Sequence, residues 1–286
     1  MSHDASARLR IVLAAGALVL GLGSCLSPKA THTTQDAPRV RLYLLDGGTL
    51  IATPTNYGLT REEVRTDTLS VLSYLVVHPR GTLLWDTGVV PDSFVGSNRP
   101  GANRTKRTLK SQLAEIGYTQ TSITYLALSH LHSDHSANAN DYATSTWLVR
   151  EAERNAMFGA TAYPSYNVPA YYSALRNAKT VLVERDYDVF GDGSVVIKAA
   201  PGHTPGHQVL FVNLAQTGPI VLSGDLYHFP EQRVLNRLAK FDFDQNETRA
   251  SRAALDTFMT RTAAVLWIQH DFVANARRKK SPAYYE

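Results

Sequence analysis

The run Ser129-His130-Leu131-His132-Ser133-Asp134-His135 places three histidines and an aspartate directly after the apolar, β-prone segment 123–128. Side chains two residues apart on an extended chain point the same way, so His130 and His132 can face one position. Asp134 and His135 come after the chain turns, and they can face a second position. Imidazoles and carboxylates are common ligands of divalent metals. The run therefore predicts a metal site at the end of a strand, where one loop can serve two ions.

The hydrophobic pattern predicts alternating strands and helices. Strands are expected at 40–45, 69–77, 82–85, 123–128, 180–183, 194–199, 208–214, 220–222 and 265–268. Asp46-Gly47-Gly48 and Pro79-Arg80-Gly81 have the composition of hairpin turns. Helical spacing predicts helices over 105–116 and 246–264, the latter capped by Asp244 or Asn246. The order predicts an α/β fold, a four-layer αββα sandwich of two similar sheet-plus-helix halves with sites at strand ends.

Three further residues of metal-ligand type also follow predicted strands. His203 lies in Pro201-Gly202-His203, Asp225 ends Ser223-Gly224-Asp225, and His270 follows the strand at 265–268. A single histidine in such a place is more often a surface or packed residue, but the cluster at 130–135 favours ligation. His207 lies four residues beyond His203, and we assign it to the turn or to a supporting position behind the ligands.

Together these motifs resemble the metallo-β-lactamase superfamily, over roughly residues 40–275. The resemblance implies two divalent ions, with Zn²⁺ as the expected metal, held by two ligand sets that share one carboxylate. The first set is His130, His132 and His203, the second is Asp134, His135 and His270, and the bridging residue is Asp225. The turn Asp86-Thr87-Gly88 also resembles a family motif, one that supports the site without binding the metal.

The bridging position separates the family's activities. Members that cleave β-lactams with two zincs usually have a cysteine where this chain has Asp225. The carboxylate and the phrase Pro201–Gln208 instead resemble N-acyl homoserine lactonases and, less closely, glyoxalase II thioesterases, which carry an added glutathione-binding domain. We therefore expect a hydrolase that opens acylated lactones as quorum quenching. Another ester, thioester or organophosphate hydrolase of this superfamily remains an alternative, and a non-enzymatic metal-binding lipoprotein is a remote one.

The resemblance also implies catalytic roles. Asp134 would pass a proton to the departing alkoxide. Family lactonases commonly place a tyrosine three residues after the bridging aspartate, a position that His228 occupies here. We expect His228 to donate a hydrogen bond to the carbonyl oxygen, with Tyr227 or a different substrate as alternatives. An aromatic set could form an acyl groove or could simply pack onto the fold: Phe158, Tyr163, Tyr166, Tyr171, Tyr172 and Phe229.

The N-terminal segment predicts export and a lipid anchor. Basic residues precede an apolar run at 11–22, which is shorter than the roughly 20 residues that span a bilayer. Leu22-Gly23-Ser24-Cys25 resembles a lipobox, and Cys25 is the only cysteine, so no disulfide forms within the chain. We expect a signal peptide over 1–24, lipidation at Cys25, a tether over 25–39 and a hydrolase domain over 40–286. The protein would be an exported bacterial lipoprotein, facing the periplasm or anchored to the outer membrane.

The charge pattern argues against nucleic acid as a partner. The net charge is +4 at pH 7, with basic clusters at 99–110 and 277–280. A nucleic-acid enzyme would interleave basic and aromatic residues along one face, and export also argues against that substrate. We interpret the basic clusters as solvated loops, with contact to anionic lipid headgroups as the alternative. A homodimer is left open.

Overall fold

Two β-sheets form the centre of the part of the chain that the structure describes. This computed structural model describes residues 39–160, 163 and 165–286. The predicted signal peptide over 1–24, Cys25 and the tether up to residue 38 lie outside the described residues. Among the described helices, none is both long and apolar enough to cross a membrane.

The strands make a large and a small sheet. In chain order they are β1 (Arg41–Ile51), β2 (Thr68–His78), β3 (Gly81–Trp85), β4 (Tyr125–Ala127), β5 (Thr146–Val149), β6 (Thr180–Leu182), β7 (Tyr187–Asp188), β8 (Val195–Ala199), β9 (Gln208–Leu214), β10 (Gly218–Leu222), β11 (Val265–Trp267) and β12 (Tyr284–Tyr285). The first sheet has the order β12-β1-β2-β3-β4-β5-β6, and the second sheet has the order β11-β10-β9-β8-β7. Strands β3 to β6 run parallel, and so do β10 and β11.

Six α-helices are described between and after these strands. They are α1 (Leu109–Glu115), α2 (Ser133–Ser136), α3 (Glu151–Phe158), α4 (Pro230–Val234), α5 (Gln245–Thr262) and α6 (Phe272–Arg277). Asp244 caps α5 by accepting hydrogen bonds from the backbone N–H groups of Asn246, at 2.7 Å, and Glu247, at 3.1 Å. Asp244 is therefore the N-cap, and Asn246 lies inside the helix.

Alternate residues of β9 face two apolar layers, because successive side chains of a strand point to opposite faces. Leu210 and Val212 belong to the buried cluster between the two sheets. Val209 and Phe211 belong to the cluster that includes Leu255 of α5. The second sheet is thus buried on one face by the first sheet and on the other by a helix.

The first sheet is buried in the same two-sided way. Tyr74 of β2 faces the second sheet. Trp147 of β5 packs in the opposite direction with Leu113 of α1 and Met157 of α3. The layers follow the order α–β–β–α, which confirms the predicted four-layer sandwich. The halves are similar but unequal, since β12 crosses over to pair with β1.

The interpretation of Asp46-Gly47-Gly48 as a hairpin turn is wrong. These residues form a bulge within β1, where the register with β2 shifts between Asp46 and Gly48. Gly48 has φ +112°, and a Cβ there would lie 2.7 Å from the carbonyl oxygen of Arg104. Only glycine satisfies both conditions without strain. The bulge therefore lets β1 continue to Ile51 while another segment packs closely against it.

Candidate metal centre

Every sequence-predicted ligand lies in a connection that follows a strand, and two of them, Asp134 and His135, lie in the short helix α2. The run that contains His130 follows β4 and leads into α2, and His203 follows β8. Asp225 follows β10, and His270 follows β11. The four loops meet at one place, where their side chains form two adjoining groups that share Asp225.

The first group brings three imidazoles and a carboxylate together. The Nδ1 atom of His132 lies 2.9 Å from His130 Nε2 and 3.1 Å from His203 Nε2. Asp225 Oδ2 lies 3.5 Å from His130 Nε2 and 3.4 Å from His203 Nε2. All four side chains are buried.

The second group uses the other oxygen of the shared carboxylate. Asp225 Oδ1 lies 2.9 Å from His270 Nε2 and 3.1 Å from His135 Nε2. Asp134 Oδ2 completes the group at 3.5 Å from His135 Nε2 and 3.6 Å from His270 Nε2. Asp225 therefore faces one group with each oxygen, as a bridging ligand must.

The ring nitrogens that point away from the second group are held by oxygen acceptors. His135 Nδ1 lies 2.9 Å from Asp86 Oδ2, and His270 Nδ1 lies 2.7 Å from the carbonyl oxygen of Ser70. An N–H at Nδ1 satisfies both acceptors and leaves the lone pair of each Nε2 directed at the centre. This arrangement of supporting acceptors is typical of histidines that bind metals.

The donor atoms fit divalent metal ions. The Nε2 atoms of His135 and His270, and Asp225 Oδ1, are buried and make no hydrogen bond within the described part of the chain. Unsatisfied buried polar atoms are rare, and several in one place are typical of a metal-binding site. Four ligands at zinc distances stand about 3.3–3.6 Å apart in a tetrahedron. The distances given above run from 2.9 to 3.6 Å, and all ligand atoms of each group lie within 4.8 Å of one another.

Electrostatics favour the ligand forms of several groups. Burial raises the pKa of Asp225, but the facing imidazoles of His135 and His270 outweigh it and hold the pKa well below its usual range. Burial and the neighbouring imidazoles lower the pKa of His130 and His132 well below the ordinary value. The bridging group is therefore a carboxylate, and these two histidines are neutral, as ligation requires.

The Asp86-Thr87-Gly88 turn supports the centre, as expected. Besides His135, Asp86 accepts hydrogen bonds from the backbone N–H of Ser129 at 2.6 Å and from Gln269 Nε2 at 2.8 Å. Asp86 is fully buried and has φ +59°. One carboxylate thus connects the loop after β3 to the two loops that follow β4 and β11.

His207 lies behind the ligands, as the sequence analysis assigned it. Its Nδ1–H donates to the carbonyl oxygen of Ala200 at 2.9 Å, and its Nε2 accepts from the backbone N–H of Asp225 at 2.9 Å. A Cβ at Gly224 would lie 2.6 Å from that Nε2, and Gly224 has φ +48°. The glycine before the bridging aspartate is therefore required for His207 to hold the backbone of Asp225.

The sequence analysis missed two supporting carboxylates. Asp242 Oδ1 lies 2.9 Å from His203 Nδ1. Burial lowers the pKa of His203, but its bonds to Asp225 and Asp242 raise it overall to about 9. Asp242 lies between two phenylalanines in a short segment without a metal-ligand motif, so nothing in the sequence marked it.

The second missed carboxylate is Glu153 in α3. It accepts hydrogen bonds from the backbone N–H groups of Leu131, at 2.7 Å, and Gly206, at 2.8 Å. It also accepts one from Thr204 Oγ1 at 2.9 Å. Burial raises the pKa of Glu153 to about 7. Its contacts connect the segment between His130 and His132 to the loop that carries His203. The sequence analysis missed Glu153 because a glutamate in a helix is normally expected to be exposed to solvent.

The side chains of His228 and Tyr227 point in different directions. His228 Nε2 lies 3.1 Å from Asp225 Oδ2, and its ring stacks on His270 with centroids 5.7 Å apart. Tyr227 is buried in the cluster that includes α5, and the Arg252 guanidinium lies 4.1 Å from its ring centroid. Tyr227 therefore packs away from the centre, and the alternative that it donates the hydrogen bond to the carbonyl oxygen is wrong.

An open cavity of about 320 Å³ leads to the second group. Asp134, Asp225, His228 and His270 form one end of it. The remaining walls include the apolar and aromatic residues Leu50, Leu69, Val89, Tyr57, Tyr166 and Phe241, and also the polar residues Thr53, Asn56, Ser133 and Arg104. Asp134 has 15% of its side chain exposed, whereas the other ligands of its group are almost fully buried. Substrate access is thus from the side of Asp134.

Only part of the aromatic set lies near this cavity. Tyr166 lines it, with its ring centroid 5.6 Å from that of His132, and Tyr163 lies 6.0 Å from the same ring. Phe158 and Tyr172 pack together in the core outside the first sheet, with centroids 5.4 Å apart. Their assignment to substrate binding is wrong, because a helix and a 3₁₀ turn fold them inward.

The other two aromatic residues also miss the cavity. Tyr171 lines a separate surface cavity together with Lys110. Phe229 is buried behind Tyr57, with ring centroids 5.2 Å apart. Tyr57 and Phe241, which the sequence analysis overlooked, form the wall instead, and each contacts the ring of His228. Both lie in short loops where no periodicity shows which way a side chain points.

Known proteins share this architecture and most of this length. The N-acyl homoserine lactonase AttM of Azorhizobium caulinodans is 28% identical over 269 residues, covering 86% of this chain and 99% of that protein. An N-acyl homoserine lactonase of a Bacillus species is 26% identical over 255 residues, covering 85% and 98%. The crystal structure of a B. thuringiensis AiiA mutant with N-decanoyl-L-homoserine bound has a TM-score of 0.72 at 24% identity, covering 87% of this chain and 100% of that chain.

The family model of the metallo-beta-lactamase superfamily matches residues 66–270. That range is well over half of the chain, and it contains both ligand groups and the turn at Asp86. The structural likeness independently shows the same fold. With the shared carboxylate and its two groups of imidazoles in place, this chain belongs to the metallo-beta-lactamase superfamily.

Proposed function

We propose that this protein hydrolyses the lactone ring of N-acyl homoserine lactones. The observation that carries the proposal is the cavity, which has metal-ligand side chains at one end and, along the rest, apolar and aromatic residues beside a few polar ones. An acylated lactone has the same division, with a polar ring and an apolar chain. Relatives named N-acyl homoserine lactonase match over nearly their whole length, which supports the same chemistry here.

The centre would hold two divalent ions, which we propose to be Zn²⁺. His130, His132 and His203 would bind one ion, Asp134, His135 and His270 the other, and Asp225 both. Nitrogen and carboxylate donors in this number suit zinc. When bound, such a pair supplies a hydroxide nucleophile at neutral pH and polarises the carbonyl group.

The chain's own groups would bind the substrate and move the proton. Asp134 is the ligand open to the cavity, so its carboxylate is placed to carry a proton to the departing alkoxide. Burial lowers the pKa of His228, which keeps its ring neutral. A neutral ring can hold an N–H at Nε2, and that atom lies 3.1 Å from Asp225 Oδ2. His228 can therefore donate a hydrogen bond to the carbonyl oxygen as charge develops on it.

A ring-opening assay on purified protein tests this function. Homoserine lactones of several acyl lengths are supplied, acid release is followed, and bound metal is measured on the same sample. We expect turnover together with about two equivalents of zinc per chain. Chelation should remove the zinc and abolish turnover. Equal samples of the purified protein are assayed with thioesters and with phosphotriesters. Turnover confined to one of those esters would replace the lactonase proposal, and metal without turnover on any ester would favour a metal-binding lipoprotein.

We also propose that Cys25 carries a lipid anchor that holds the protein at a membrane facing the periplasm. The support is the order of basic residues, apolar run and Leu22-Gly23-Ser24-Cys25. Cys25→Ser should release the protein from membranes or stall its processing, as seen by fractionation and mass. A serine variant that is processed and still fractionates with membranes would contradict the anchor.

A further inference from the structure

An arginine without an ion-pair partner lines the same cavity. Arg104 is the only lysine or arginine among the described residues that line it. No described carboxylate pairs with its guanidinium, although nearby basic residues are paired. Arg107 forms an ion pair with Glu115, and Lys110 lies 2.9 Å from Asp141. Arg104 is therefore the basic residue of this loop that lines the cavity and has no carboxylate partner among the described residues.

The backbone of Arg104 is held in a defined place. Arg104 ends a 3₁₀ turn, and its N–H donates to the carbonyl oxygen of Gly101 at 3.0 Å. Ala102 of the same turn is buried. The carbonyl oxygen of Arg104 lies against Gly48, where a Cβ would approach to 2.7 Å. The bulge in β1 therefore seats the loop that brings Arg104, an exposed residue, to the edge of the cavity.

Three apolar residues that line the cavity with Arg104 offer its guanidinium no hydrogen-bond acceptor. The cavity side chains contributed by β1 and by the loop after β3 include Leu50, Ile51 and Val89, none of which can accept a hydrogen bond. A guanidinium has five N–H donors and no acceptor, and it bonds most strongly to oxygen. A purely aliphatic chain along this wall would desolvate these donors without replacing their water.

We propose that Arg104 selects acyl lactones that carry a second oxygen acceptor, a β-keto group, on the acyl chain. This inference rests on the proposed lactonase function. The amide oxygen is common to all N-acyl homoserine lactones, so a bond to it gives no preference among them. A β-keto oxygen distinguishes two substrates of equal length, and a charge-assisted hydrogen bond to it should give a preference of about tenfold.

The test compares kcat/KM for N-hexanoyl homoserine lactone and its β-keto form in the zinc-loaded protein. Wild type should favour the β-keto form by about tenfold, and Arg104→Met should bring the ratio close to one. Arg104→Lys, which keeps the charge but not the planar fork, should retain part of the preference. Lys106→Met is the matched control, because Lys106 is exposed in the same loop and does not line the cavity.

Each outcome decides between the two proposals. A wild-type ratio of one, with both lactones opened, would overturn the role of Arg104 and leave the lactonase function standing. An equal loss on both substrates in Arg104→Met would also overturn it, since the contact would then be to a group that they share. Failure of wild type to open either lactone would remove the proposed function and this inference with it.

Discussion

The two ligand groups share one carboxylate but differ in exposure and support. The side chains of the first group, His130, His132, His203 and Asp225, are all buried. The second group contains Asp134, which is 15% exposed and borders the cavity. The first group is therefore the more closed one, although His132 also lines the cavity, and the second is the more exposed to substrate and solvent.

Because of this difference in exposure, we assign different roles to the two groups: the first holds a metal, and the second also contacts the reacting molecule. A closed site exchanges its ion slowly and fixes local structure, whereas an open site keeps a position for a reacting molecule. His228 lies beside Asp225 and His270, so the hydrogen-bond donor and the open group face the same space. We infer that chemistry occurs on the second group and that the first group positions the shared carboxylate.

The largest expected effect comes from removing Asp225, the carboxylate that the two groups share. Asp225→Ala should lose at least one ion and lower kcat/KM by about 10³-fold or more, because several kcal/mol of metal stabilisation disappear. Metal analysis after gel filtration and a lactone assay measure the two quantities. If Asp225→Ala still holds two ions tightly, Asp225 is not a bridging ligand.

Single ligands of the two groups should then give different metal contents. His270→Ala removes a ligand of the open group and should leave one ion that resists mild chelation, with activity lowered by about 10³-fold. His203→Ala disturbs the closed group and should lose both ions more readily, since His203 also positions Asp225. Identical metal content and chelator sensitivity in the two variants would mean that the groups are equivalent.

A smaller effect is expected from the donor beside the open group. His228→Ala should lower kcat by roughly 10²- to 10³-fold with bound zinc unchanged, because a hydrogen bond to the developing oxyanion is lost. His228→Tyr should recover part of that loss by restoring a hydroxyl donor. Tyr227→Phe serves as the control and should stay near wild type. If Tyr227→Phe cripples turnover while His228→Ala does not, the assignment of the donor is wrong.

The smallest expected effect comes from the support of the closed group. Asp242→Asn should weaken the affinity for the first ion by about 10- to 100-fold, since the acceptor that orients His203 loses its charge. Competition with a zinc-binding dye measures that affinity. Turnover at saturating zinc should fall much less than in the preceding variants. Unchanged zinc affinity would show that Asp242 does not orient the ligand.

The sequence was sufficient for residues that lie in local motifs or follow strands. His130, His132 and Asp134 could be assigned because the run is short and the strand before it sets its direction. Asp242 and Glu153 could not, because each acts through a contact between segments distant in the chain. The bulge at Gly48 was taken for a hairpin turn, because glycines that follow a β-type run occur in both hairpin turns and β-bulges.

The direction of side chains in the loops also could not be predicted from the sequence. Phe158 and Tyr172 turn inward, whereas Tyr166 turns toward the cavity, although all three lie in one aromatic-rich connection. Tertiary packing decides such directions, and no period in the sequence records them. The layer order could be predicted because it depends on alternation, which strands such as β9 display clearly.

The shared carboxylate also has a thermodynamic consequence. His130 and His135 follow a strand of the first sheet, whereas His203, Asp225 and His270 follow strands of the second. Ions held by this set would act as non-covalent cross-links between the two sheets, and they would bind only after the sheets have docked. Zinc availability would then set the melting temperature as well as the rate of turnover, because each ion stabilises the folded state alone. A cell that lacks zinc would hold a protein whose two layers separate more easily, and proteases would remove the unloaded chains first.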